Sequence, residues 1–255
     1  MPETEINSEV KIDTKVYPHD CPVCGMSTNY TYGIDDGKDK SAWYRCNCGV
    51  IFQKDLPVHG CYDEEYVKGY ADFKDVDLVQ THAARAYAPL IEELTYGRRM
   101  LDVGFNLPQN MNYFKDRGWI TQGIDINPTF KDSKNIFVGD FAKYEKLHPE
   151  YSLIWMSHVL EHFENPIGVL QKAKDLLVED GVLYISTPDI EFMNKTGVSG
   201  WPHWNKREHY VMWSLDALVR ELERLGFKII MKRRNYSSRF VAWFDLQILC
   251  QKLYF

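Results

Sequence analysis

Two groups of side chains in this sequence have the types and spacing that suit chemistry. The first is Cys21-Pro-Val-Cys24-Gly and Cys46-Asn-Cys48-Gly, two close cysteine pairs separated by 21 residues, each with a glycine directly behind its second thiol. A tight turn at such a glycine aims backbone N–H groups at sulfur, and four thiolates suit a tetrahedral zinc ion. The second pair is one residue shorter than the first, so Cys61 or His59 are alternatives for one of the ligands. The other reading of the pairs is four reduced, buried thiols. The second group is His158-Val-Leu-Glu161-His162, followed much later by Glu208-His209-Tyr. Imidazoles beside a carboxylate suit removal of a proton from an oxygen nucleophile or capture of a divalent ion. The plainer role is structural, with Glu161 bracing a loop and His162 packing beneath a ligand.

The elements that must hold these groups follow from the rest of the chain. At 255 residues, with 45% hydrophobic and 26% charged positions, the protein has the composition of an ordinary globular chain and can bury a sizeable core. Its net charge of -6 offers no general field for a polyanion, which disfavours nucleic acid as a partner. No apolar run approaches the roughly 18 residues of a membrane span, and Met1-Pro-Glu-Thr-Glu lacks the pattern of a signal peptide. The expectation is a cytoplasmic protein without membrane contact, in which paired cysteines mean metal rather than disulfides.

Residues 1–16 read as a flexible lead-in and 17–60 as a ribbon-like zinc module too poor in aliphatics to make its own core. Zinc contributes on the order of 10–16 kcal/mol to a peptide of that size and supplies what the core lacks. Residues 61–97 read as a linker whose helix, over Asp75–Tyr96, presents Val79, Ala83, Ala86 and Leu90, with Ile91 and Leu94 beyond a kink at Pro89. From residue 98 to 255 the pattern becomes short apolar runs alternating with helical stretches, the form of a doubly wound, mostly parallel α/β sheet. The runs are Met100–Val103, Ile120–Ile124, Ile136–Val138, Leu153–Met156, Val182–Ile185, Phe227–Met231 and Val241–Leu249, giving seven strands. The last two, joined by KRRNYSSRF, should pair as an antiparallel hairpin whose basic residues face solvent or meet phosphate. Ser214 is placed to cap a helix carrying Leu215, Leu218, Leu222 and Leu225, which Gly226 ends. The long connection from Asp189 to Trp213, with Trp201, His203, Trp204, His209, Tyr210 and Trp213, reads as a binding loop or aromatic platform. Cys250, among Leu and Ile, reads as a small core residue.

In such sheets ligands bind beyond the carboxyl ends of the strands. Asp125 ends the second strand 21 residues after Gly104, near the separation at which an acid reaches ribose hydroxyls. The first strand and its turn, Met100-Leu-Asp-Val-Gly-Phe-Asn-Leu-Pro, resemble motif I of the class I S-adenosylmethionine-dependent methyltransferases, usually Asp-x-Gly-x-Gly-x-Gly. Asn106 and Pro108 stand where the second and third glycines would be; Asn tolerates positive φ, whereas Pro removes one N–H. The stretch from Tyr151 to Pro166 resembles the family's D-x-I-x-x-x-x-V-L-E-H-x-x-x-P signature, with Ser152 in place of the acid, and the block from Glu179 to Asp189 resembles its fifth strand.

The resemblance covers about Arg99 to Phe227 and implies a Rossmann-like domain that binds S-adenosylmethionine through Asp102, Gly104, Asn106, Asp125, Ile126, Asp140, Phe141 and Ser157. Asp125 would hold the ribose, Asp140 the adenine and Gly104 the methionine end, with Asp140 as a helix N-cap the alternative for that residue. His158, Glu161, His162 and His209 would line a reaction centre acting on a small-molecule acceptor, most simply at oxygen. A sharper form compares the last four with small-RNA 3′-terminal ribose methyltransferases, where a similar order holds a divalent metal; His158 here replaces the first carboxylate, which tilts such a site from Mg²⁺ toward Mn²⁺, Fe²⁺ or Zn²⁺. A reading of another class makes the chain a binding module whose cofactor loop has decayed and whose zinc ribbon is the active surface.

Overall fold

A computed structural model describes residues 19–28, 31–32, 43–53, 68, 76–131, 133–192, 208–237 and 243–253. Its centre is a seven-stranded sheet: β6 (Arg99–Val103), β7 (Ile120–Asp125), β8 (Ile136–Val138), β9 (Tyr151–Ser157), β10 (Leu177–Pro188), β12 (Phe227–Ser237) and β13 (Trp243–Lys252), in the order β12-β13-β10-β9-β6-β7-β8. All neighbouring pairs from β10 to β8 are parallel, while β13 runs antiparallel to both β10 and β12. The seven strands expected from the apolar runs are therefore all present, with the C-terminal pair as the antiparallel hairpin. That hairpin is longer than expected, because 232–237 of the KRRNYSSRF segment continue β12 instead of forming its loop. Arg239 lies outside the described residues.

Alternation along the strands sorts side chains to two faces. Leu101, Val103, Ile154, Met156, Leu183, Ile185, Leu246 and Ile248 face one core, while Met100, Leu153, Trp155, Val182, Tyr184 and Leu249 face the other. The second face is covered by α1 (Val76–Leu94) and α2 (Gln109–Asp116). The helix read as a linker is thus packed on the sheet: Ala83, Leu90, Ile91 and Leu94 make the expected contacts, joined by Ala84, Tyr87 and Ala88, while Ala86 is exposed. Pro89 stays inside the helix. On the first face lie α3 (Pro166–Leu176), with Asn165 capping Gly168 N, and α4 (Leu215–Arg224), where the Ser214 hydroxyl accepts from Ala217 N as expected. Cys250 is fully buried.

The cysteine module contributes β1 (His19–Asp20), β2 (Ser27–Thr28), β3 (Thr31–Tyr32), β4 (Trp43–Cys46) and β5 (Val50–Gln53). Its main sheet does not end with its own strands: β11 (Val211–Trp213), from the long connection after β10, pairs antiparallel with β5 to complete the order β11-β5-β4-β3. Val50, Phe52, Tyr44, Trp213 and Leu218 belong to one buried cluster with the first face of the large sheet. Burying each such side chain is worth about 1.5–3 kcal/mol, so the module borrows a core that its composition could not provide alone. Tyr210 and Trp213, expected on an aromatic platform, are buried in this seam instead. Trp201, His203 and Trp204 lie outside the described residues.

Candidate active site

The carboxyl ends of β6, β7, β8 and β9 open on a cavity of about 440 Å³, within the size range of small-molecule and cofactor sites. Asp102, Gly104, Asn106, Asp125, Ile126, Asp140, Phe141 and Ser157 all line it, as do His158, Glu161, His162 and His209. The structure brings every residue expected to touch cofactor or acceptor to one place.

At one end of the cavity Gly104 turns the chain at φ +66°, and a Cβ there would lie 2.6 Å from Val159 Cγ2, so the loop can pass only as glycine. Asn106 takes φ +44°, the left-handed conformation that Asn tolerates, and its backbone N–H donates to Asp125 Oδ2 at 2.9 Å. The N–H of Asn127 donates to Asp125 Oδ1 at 2.8 Å. Burial pushes the Asp125 carboxyl up while these N–H bonds favour its ionised form. Asp102 is buried, no hydrogen bond reaches its Oδ2, and burial followed by the Asp125 charge pushes its carboxyl well up. A buried polar atom of this kind calls for a hydrogen-bond partner from a ligand. Asp140 Oδ1 accepts from Ala142 N at 2.9 Å within a turn, with no helix behind it to cap, and Oδ2 lies 3.4 Å from Lys143 Nζ. Phe141 is buried while Ile126 is exposed at the rim.

At the other end, a short 3₁₀ turn (Leu160–His162) follows β9. His158 has φ +52° and its ring lies between two buried carboxylates, with Nδ1 3.5 Å from Glu161 Oε1 and Nε2 3.8 Å from Asp245 Oδ2. Burial opposes its charge, but the Asp245 and Glu161 contacts outweigh that and raise its pKa to about 9. The two carboxylates therefore favour the imidazolium form of His158. Burial would raise the Glu161 pKa, yet His158 and the neighbouring imidazoles hold it down at about 2. Glu161 is fully buried and its Oε2 accepts from the Thr187 hydroxyl at 2.9 Å. His162 Nδ1 lies 2.9 Å from the Glu208 carbonyl, which can only accept. In the neutral ring Nδ1 then carries the hydrogen and Nε2 is the basic nitrogen. The His162 and His209 rings meet edge to face at 4.7 Å, and Glu161, His162 and His209 each place one ligand atom within 4.8 Å of the others.

Sequence reasoning missed the β13 contribution. Asp245 accepts from the Ser186 hydroxyl at 2.5 Å and from Gln247 at 3.3 Å, and Gln247 in turn accepts from Tyr87 of α1 at 2.8 Å. The one signal available was an acid in the middle of the apolar run Trp243-Phe-Asp-Leu-Gln-Ile-Leu. Trp155 and Tyr184, stacked at 3.7 Å, form an aromatic wall of the same cavity.

The four cysteines converge apart from this cavity. Cys21 and Cys48 Sγ are 3.6 Å apart, Cys24 and Cys46 Sγ 3.5 Å, and all four fall within 4.8 Å of one another. Ligands at the 2.3 Å zinc–sulfur distance in a tetrahedron are about 3.8 Å apart, so the donor set and its spacing fit that ion. Gly25 and Gly49, behind the second thiols, have φ +70° and +96°, the left-handed turns expected there. The short second pair delivers its Cys48 thiol to the cluster; His59 and Cys61 lie outside the described residues.

Comparison with known proteins gives a consistent picture. Residues 79–232, more than half of the chain, match the family described as "Methyltransferase domain". The chain is 30% identical over 132 residues to a ubiquinone biosynthesis O-methyltransferase of Glaesserella parasuis serovar 5 (strain SH0165), covering 46% of this chain and 56% of that relative, so the match spans just over half the relative's length. Among solved structures, a Burkholderia thailandensis 1,6-didemethyltoxoflavin-N1-methyltransferase with bound 1,6-didemethyltoxoflavin and S-adenosylhomocysteine superposes with a TM-score of 0.55 at 16% identity, covering 88% of this chain and 100% of that one. The plantazolicin methyltransferase BpumL in complex with S-adenosylhomocysteine gives 0.57 at 14% identity, with 75% and 90% covered. At these identities the likeness is one of fold.

Proposed function

The chain belongs to the methyltransferase-domain family, and from that premise we propose that it transfers a methyl group from S-adenosylmethionine to an oxygen of a small molecule or sugar. The observation that carries the reading is the strand-end set: Asp125, both oxygens aligned by backbone N–H groups, shares a cavity with Asp102, whose buried Oδ2 no hydrogen bond reaches, and with Asp140. In this reading Asp125 accepts the ribose hydroxyls, Asp140 and Phe141 flank the adenine, and Asp102 with the Gly104 turn receives the methionine end. Asn106 keeps the left-handed turn and its N–H bond to Asp125, which supports a working loop over a decayed one.

S-adenosylmethionine supplies an electrophilic methyl group when bound. The protein's part is to align the acceptor and exclude water, worth up to about 7–11 kcal/mol by effective-molarity arguments. His162 Nε2 or His209 removes the acceptor's proton, adding roughly 10²–10⁴-fold. His158, held as a cation by Glu161 and Asp245, orients both carboxylates at the acceptor end. The cysteine module is proposed to hold one structural zinc, and the division into a metal module at 17–60 and a methyltransferase domain at 98–255 is proposed with it. Calorimetry with S-adenosylmethionine on the purified chain tests the reading. Saturable one-to-one binding is expected; no binding at millimolar cofactor overturns it.

A second reading is favoured by the convergence of Glu161, His162 and His209 within 4.8 Å. These three would take a divalent ion that grips vicinal hydroxyls of an acceptor such as an RNA 3′ end. With one carboxylate among the three, softer ions than Mg²⁺ are favoured.

A further inference from the structure

The cysteine module reaches the reaction centre at the two peptides that flank Tyr210. Gln53, the last residue of β5, donates from its backbone N–H to the Tyr210 carbonyl at 3.0 Å and from its side-chain Nε2 to the His209 carbonyl at 2.5 Å. On the opposite edge of the His209–Tyr210 peptide, Tyr210 N–H donates to the Glu161 carbonyl at 2.7 Å. The peptide between His209 and Tyr210 is therefore held between the module and the 3₁₀ turn, and this clamp delivers the His209 ring to the His162 ring. Gln53 is 5% exposed, so its bond to the carbonyl is not shared with bulk water.

The clamp is fixed at the thiol end as well. Gly49, directly behind Cys48, accepts at its carbonyl from Ser214 N–H at 3.1 Å, and Arg220 donates to the Cys48 carbonyl at 2.7 Å. At Gly49, φ is +96° and a Cβ would lie 2.7 Å from Ser214 Oγ, so the knuckle seats against the start of α4 with no room to spare. The four-residue β5, which starts at the knuckle and ends with Gln53, is paired with β4 on one side and β11 on the other. Strands in a paired sheet move as one body, so the position of the thiol knuckle sets that of the peptide after His209.

We propose that Gln53 is a positioning residue of the reaction centre, through which the cysteine module fixes His209 against His162 and Glu161. This rests on the reading of those three residues as the reaction centre. The module then supplies no reacting group, yet the acceptor end of the cavity is incomplete without it.

The test uses the full chain labelled with ¹⁵N-histidine and observed by imidazole NMR, with the signals assigned by single histidine replacements. Gln53→Glu keeps the shape but turns the donor into an acceptor facing a carbonyl. His209 and His162 signals should be displaced or broadened. His19, packed on Tyr44 in the module, and His148, exposed on the sheet domain, should keep theirs. S-adenosylmethionine affinity should stay within about twofold. Unchanged His209 and His162 signals overturn the proposal. If Gln53→Glu moves all four signals, Gln53→Ala decides, since it removes the donor without adding charge. Displacement of His209 and His162 alone then supports the proposal, and any other pattern overturns it by making Gln53 a residue of the fold and not of the site. Calorimetry on the parent protein tests the functional reading separately, because a chain that binds no cofactor fails that reading whatever its histidine signals do.

Discussion

At the end of the cavity proposed for the cofactor, Asp102, Asp125 and Asp140 sit on or just beyond three neighbouring parallel strands, within one short stretch of sequence. The acceptor end draws Gln53 from the cysteine module, His158, Glu161 and His162 from the turn after β9, His209 from the long connection and Asp245 from the C-terminal hairpin. The first end is made by consecutive strand–turn units, so its geometry is fixed wherever the sheet forms. The second depends on contacts between segments far apart in the chain, and any one of them can be lost without disturbing the others' strands. Perturbations should therefore divide cleanly between the two ends.

The largest effect is expected at the metal. Elemental analysis should find about one zinc per chain, and Cys46→Ser should lose it, since the on-the-order-of 10–16 kcal/mol of zinc binding cannot be recovered from three thiolates and a hydroxyl. Methyl transfer should disappear, while S-adenosylmethionine still binds with at most a modest loss. Simultaneous loss of both, in protein that remains folded by circular dichroism, would break the division between the ends.

Next come Glu161 and His162. If an imidazole acts as the base, His162→Ala should lower turnover by about 10²–10⁴-fold, with added Mn²⁺ changing nothing. If the trio holds an ion, chelation should abolish turnover, excess Mn²⁺ should restore it more readily than Mg²⁺, and Glu161→Gln should be as damaging as the histidine change. The cysteine metal must be followed in parallel. Full turnover in both variants would leave the acceptor end with alignment alone.

Asp125→Ala acts at the opposite end. It removes the charged acceptor for two ribose hydroxyls and should weaken cofactor binding by about 2–4 kcal/mol, read by calorimetry. The histidine signals at the acceptor end should not respond. Unchanged affinity would show that the strand-end assignment is wrong.

A smaller effect is expected from pH. His158 has a folded pKa of about 9, above its ordinary value, so the stability it contributes is fully present below about 6.5 and is lost as pH rises through 9. Linkage puts the loss on the order of 3 kcal/mol. Urea midpoints for the parent should fall over that window, and those of His158→Gln should fall less. Glu161, held at about 2, works in the opposite sense: its contribution is present above its ordinary pKa and is lost as pH falls toward 2. Equal slopes for parent and His158→Gln between pH 6.5 and 9 would show that the two carboxylates do not hold the ring charged.

How far each end could be read from the sequence follows the same line. Strand periodicity gave all seven strands, and the spacing from Gly104 to Asp125 pointed to the end of the cavity proposed for the cofactor, because both are set by neighbours in the chain. Pairing of Val211–Trp213 with β5 was not legible, since a three-residue apolar run inside a long connection carries no signal of its partner. That His158 sits between two carboxylates was not legible either, because Asp245 arrives from another strand. In α1, Ala83, Leu90, Ile91 and Leu94 were legible as core positions while Ala86 was not: small residues at adjacent sites leave helical phase poorly defined.

The smallest effect tests the cofactor end at the position where it departs from the glycine-rich pattern. Asn106 uses a left-handed φ of +44°, and what it gives Asp125 is its backbone N–H. Glycine adopts that conformation at no steric cost and keeps the N–H, so Asn106→Gly should leave S-adenosylmethionine affinity within about twofold. Its one expected cost is a few tenths of a kcal/mol in stability, from the freer unfolded chain. Asn106→Val, by contrast, puts a β-branched side chain where φ is positive and should weaken binding through strain in the loop. A tenfold loss in Asn106→Gly would mean that the Asn side chain itself touches the cofactor. The loop would then be a substitute with its own contact, and the cofactor end would owe as much to side chains as the acceptor end does.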